Sequence, residues 1–110
     1  MHALFATLAT ELDAYTDMVA ERIVVLGGVA LCTVGTATRQ STLPEYPDAI
    51  LDGPAHVWAL AERVALYAAA LRDNITLAAD VEDAGSASVY TDILRGVDKQ
   101  LWVLEAHLHR

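Results

Sequence analysis

Apolar residues recur at steps of three and four along three stretches of the chain. Leu4, Leu8, Leu12, Tyr15, Val19, Ile23 and Leu26 form one such stripe, the spacing that lines a single face of a helix. It predicts a first long helix at about Met1 to Leu26. Gly27 and Gly28 should stop it, since one glycine can take the left-handed conformation that closes a helix C-terminus. A second stripe, Val57, Ala61, Val64, Ala68, Leu71 and Ile75, predicts a helix from about Pro54 to Asp80, with Pro54 in a first turn that needs no amide donor. The third runs through Tyr90, Leu94, Val97, Leu101, Leu104 and Leu108 to the C-terminus, entered through Ser86 or Ser88 as cap.

Helices this long, roughly 35 to 39 Å at 1.5 Å per residue, belong to bundles. The connection from Gly27 to Gly53 is far longer than the few residues joining antiparallel neighbours, so it is expected to cross the bundle from end to end. Pro44, Tyr46 and Pro47 punctuate it, and Asp48 to Leu51 is expected to add a short helix. The fold class is therefore all-α. Three long helices and one crossover nearly make the ferritin-like bundle, in which four helices share one such connection, with one helix missing.

Composition narrows the function. With 110 residues there is one domain, and a hydrophobic fraction of 55% exceeds what a chain of this size can bury alone. Self-association follows. Fifteen acidic against seven basic residues give a net charge of -8, with Lys99 the only lysine. Direct DNA binding is disfavoured, because affinity for nucleic acid rests on neutralised phosphates. Cations are better partners. Cys32 stands alone, so no intrachain disulfide forms. With no basic leader and no apolar run approaching roughly 18 residues, the chain is expected to be soluble and cytoplasmic. No glycine-rich phosphate loop, serine hydrolase motif or CxxC appears.

The segment from Met18 to Leu31, MVAERIVVLGGVAL, the Glu45-Tyr46-Pro47 of the crossover and the run RGVDKQLWVLEAHL from Arg95 to Leu108 resemble the Dps family, ferritin relatives that oxidise ferrous iron and store it in a twelve-subunit shell. The resemblance extends from about His2 to Leu108. It begins inside the family's second helix, so the first helix and any N-terminal DNA-binding tail have no counterpart; a start codon assigned too late would have the same effect.

The resemblance implies an iron site shared between two subunits related by a twofold axis. One subunit supplies a first-helix histidine, then a histidine and, four residues on, an acid; the other supplies an aspartate and a glutamate. Asp17 and Glu21 match that last pair, and their spacing puts both carboxylates on one helical face. An isolated pair so spaced is ordinarily a solvated helix face, and it is the surrounding motif that favours iron. His2 matches the second-helix histidine, at a terminus where helices fray. Ala6 stands where the family has its acid and offers no donor atom. The implied metal ligands are thus His2 from one chain and Asp17 with Glu21 from its mate, hard oxygens with imidazole, a set suited to ferrous iron. His56, His107 and His109 match no metal position, Trp58 and Trp102 are expected in packing or a subunit interface, and Arg22 is expected to pair with a carboxylate such as Asp98. Two functions follow. One is an oligomeric ferroxidase and iron store, a dodecamer by resemblance, that protects the cell and its DNA from peroxide chemistry; the other is a catalytically inert helical assembly that keeps the packing stripes without a complete centre.

Overall fold

The computed structural model describes residues 2–28, 41, 43, 44 and 53–109. They form three helices, α1 (His2–Val25), α2 (Gly53–Asp80) and α3 (Ala84–Leu108), each within two residues of its predicted bounds except at the start of α3. The expected short helix at Asp48 to Leu51, the Glu45 to Pro47 segment and Cys32 lie outside the described residues. At about 42 Å, α2 accounts for the 44 Å long dimension.

Gly27 does end α1. Its φ of 87° lets its amide bond to Val24 O at 2.9 Å while Gly28 bonds to Ile23 O at 2.9 Å, the paired arrangement that satisfies the last carbonyls of a helix. The same arrangement ends α2 without a glycine. Glu82 takes the left-handed conformation at φ 61° and donates to Ala79 O, while Asp83 donates to Ala78 O at 2.8 Å. Asp83 then caps α3, its carboxylate accepting from the Ser86 amide at 3.0 Å. The cap is therefore Asp83 rather than Ser86 or Ser88: Ser86 stands three residues inside and is buried. A cap of this kind is worth about 1 kcal/mol.

With so short a turn, α2 and α3 pack as an antiparallel hairpin, and α1 lies along α3. The core holds Val57, Ala61, Val64, Ala68 and Leu71 of α2 against Ile93, Val97 and Leu104 of α3, with Leu8 from α1. Fully burying each large aliphatic side chain contributes about 1.5–3 kcal/mol. On α3 the most deeply buried row is Ile93, Val97, Gln100 and Leu104, so the seam runs through one residue, Gln100, that no hydrophobic pattern includes. Ile23 and Leu26 at the end of the first stripe are exposed, as are Trp58 at 59% and Trp102 at 68%. Neither tryptophan is packed in the core of this chain. Among the described residues no helix is long and apolar enough to cross a membrane.

Candidate metal centre

Three contacts set the register of α1 on α3. At the end of α1, Arg22 donates through Nε to Ser86 Oγ at 3.1 Å and through Nη2 to Asp83 Oδ1 at 2.9 Å. In the middle, the Tyr15 hydroxyl rests where a β-carbon on Gly96 would sit. Toward the start, Gln100 Nε2 donates to Glu11 Oε2 at 2.8 Å. Partners that advance along α1 retreat along α3, so the two helices are antiparallel. The expected pairing of Arg22 with Asp98 is corrected: Arg22 binds Asp83, and Asp98 lies 3.7 Å from Arg72. Asp83 is on the turn directly under the end of α1, whereas Asp98 lies more than three helical turns further along α3.

Electrostatics follow this geometry. Hydrogen bonds from the Ser86 side chain and backbone, then Arg22, hold the Asp83 carboxyl below its ordinary value. Burial raises Tyr67, helped by Tyr15 and Tyr90, and burial with the Glu11 charge raises Tyr15. Gln100 is 2% exposed, and its Oε1 is buried without a hydrogen-bond partner.

Asp17 and Glu21 face the other way. Both are exposed, about 6 Å apart along α1 and at least about 100° round it from the row of Tyr15 and Arg22. The ion pairs among the described residues join Arg22 to Asp83, Arg63 to Glu62, Arg72 to Asp98 and Arg95 to Asp92, leaving this pair outside them. Glu21 opens onto a hollow it shares with Met18, Arg22, Val25 and Val89. Ala6 is exposed, and its position falls on the same outward face as the acids.

His2 begins α1, about 22 Å along the helix from Asp17 and about 28 Å from Glu21. One chain cannot bring the three together. Among the described residues no group of three or more His, Cys, Asp or Glu converges in a way that would hold a metal ion. His107 has its Nδ1 2.8 Å from Val103 O, a contact within its own helix, and His109 lines an outer groove with Trp58, Glu62 and Glu105. The sequence reading missed the Arg22, Asp83, Ser86 and Gly85 contact and the buried Gln100.

All 110 residues match a ferritin family model described as a ferritin-like domain. The chain is 37% identical to the DNA protection during starvation protein of Agrobacterium fabrum, over 98% of this chain and 67% of that protein. With DNA protection during starvation protein 1 of Deinococcus radiodurans it shares 26% identity over 96% of its length and 51% of the relative. The DNA protection during starvation protein of Brevibacillus brevis is also 26% identical, over 98% and 72%. Among solved structures, DpsC from Streptomyces coelicolor superposes with a TM-score of 0.90 at 29% identity, covering 97% of this chain and 63% of that one. The chain thus spans between about half and three quarters of the length of these relatives. Three packed helices, the glycine stop of α1 and likeness over the whole chain lead to one conclusion: it belongs to the Dps family of ferritin-like proteins.

Proposed function

We propose that the chain is a subunit of a cytoplasmic, oligomeric mini-ferritin that takes up ferrous iron, oxidises it with peroxide or oxygen and stores the ferric product, so protecting the cell and its DNA. Iron is the substrate. Two ferrous ions each give one electron to a peroxide, which takes up two protons and leaves as two waters. The observation that carries this reading is the placement of Asp17 and Glu21, one turn apart on the outward face of α1 and outside the ion pairs among the described residues. Exposed carboxylates close together repel each other and gain from a divalent cation between them.

A second copy supplies the rest. Two α1 helices related by a twofold axis would run antiparallel, each residue i opposite 23 − i if the axis passes between Glu11 and Leu12. That register sets His2 opposite Glu21 and Ala6 opposite Asp17, which is how His2 and acids about 22 and 28 Å away on one helix would reach a common ion. Direct contact with DNA is not part of this function, since a net charge of -8 opposes the phosphate backbone.

A specific observation favours a second reading, a catalytically inert assembly. Opposite Asp17 this register sets an alanine, and three protein ligands leave water in positions a faster centre would fill. Iron oxidation under peroxide, followed by absorbance, separates the two. The wild-type chain should oxidise iron slowly and Glu21→Ala not above background. Rapid turnover that survives Glu21→Ala would place the chemistry elsewhere, and a wild type indistinguishable from buffer favours the inert assembly.

A further inference from the structure

We infer that Arg22 is a positioning residue for the carboxylate pair, fixing the last turns of α1 so that Glu21 and Asp17 present a set geometry to the ion. The inference rests on the metal reading above. Apolar contacts stop one turn short of this end of the helix: Met18 and Val19 are partly buried against the core, but Ile23, Val24, Val25 and Leu26 are all exposed. Arg22 spans the gap. Its guanidinium makes two bonds to the α2–α3 turn and the start of α3, to Asp83 Oδ1 and Ser86 Oγ, and packs where Gly85 has no side chain; a β-carbon there would stand 2.7 Å from Arg22 Cζ. Glu21 is the adjacent residue and walls the same hollow, so rotation or fraying of this turn moves its carboxylate directly.

A cation beside a cation site makes the test sharp. If Arg22 acted only through its charge, removing it would tighten binding of a divalent ion, because it repels one. If it acts by position, removing it loosens binding. Lysine keeps the charge but lacks the planar fork that reaches two oxygens at once.

The experiment is anaerobic calorimetric titration of ferrous iron into the full chain, with melting followed in parallel. Arg22→Met, Arg22→Lys and Gly85→Ala should each weaken affinity roughly tenfold, the scale expected when the support of a metal ligand is lost. Val57→Ala, a core change on α2 away from the acids, should lower the melting temperature at least as much and leave affinity at the wild-type value. Tighter binding by Arg22→Met, wild-type binding by Arg22→Lys, or equal weakening by Val57→Ala overturns the inference. Glu21→Gln tells its failure from that of the metal reading: if it abolishes binding while the Arg22 variants bind normally, only the positioning role falls; if it binds like wild type, both fall.

Discussion

Replacing Gly96 by alanine in the middle of α3 sets two effects of known size against each other. Alanine is favoured over glycine in a helix interior by about 1 kcal/mol, so the isolated helix would gain. In the folded chain, however, the new β-carbon would lie 2.7 Å from Tyr15 Cζ and 3.3 Å from Cε1, with the hydroxyl closer still. Tyr15 is half-buried and packed on the core, and its ring is rigid, so relief requires the whole side chain or α1 itself to move. Overpacking of this kind costs typically 1–3 kcal/mol. The net expectation is a loss of about 1 kcal/mol, or roughly 4 °C in Tm for a chain of this size. Urea unfolding at matched protein concentration is the assay, because association shifts apparent stability. In a Tyr15→Ala background the same substitution should stabilise by about 1 kcal/mol, giving a coupling of about 2 kcal/mol between the two sites. A Gly96→Ala chain more stable than wild type, or one whose effect ignores residue 15, would show that α1 does not rest on α3 through this contact.

Glu82→Gly should stabilise the chain by about 1 kcal/mol, since Glu82 sits at a positive φ where a β-carbon is strained; equilibrium unfolding reads it directly. The Asp83 carboxyl, held below its ordinary 3.8, contributes stability that is full above its unfolded value and disappears as pH falls through the lower folded one. The stability gap between wild type and Asp83→Ala should accordingly be widest near neutrality and narrow on acidification below that range, as thermal melts across pH would reveal. Ala6→Asp should tighten ferrous iron binding by restoring an oxygen donor opposite Asp17, measured by the same anaerobic titration; no change would count against the register proposed for the paired helices. In gel shifts at about 150 mM salt without metal, DNA should remain unbound.

Helix positions were legible because burial on one side of a helix imposes its own period, and Val57 to Leu71 and Val97 to Leu104 obey it. The shared face of Asp17 and Glu21 was legible for the same reason: residues four apart lie on one face whatever the tertiary structure. The contacts that break the period were not. Gln100 reads as a solvated polar residue, and only the presence of Glu11 at 2.8 Å explains its burial. The end of α2 at Asp80 was legible, but the start of α3 was not, because Ser86 and Ser88 offered the chemistry of a cap further on than Asp83. Arg22 had many acids to choose from, and its partner 61 residues away is selected by the turn that carries it.

The turn in which Asp83 closes one helix and opens the next also bears on the order in which the molecule opens and closes. The α2–α3 hairpin can zip up from its short turn, so it forms with little loop entropy, whereas α1 is separated from it by the residues from Leu26 to Asp52 and docks only by bringing together segments far apart in sequence. Amide protons of α1 should therefore exchange through a partial opening that leaves the hairpin intact. The carboxylates of the proposed iron site ride on the element that detaches most easily, and any ion or second subunit that prefers α1 docked will draw that opening equilibrium toward the closed state by mass action.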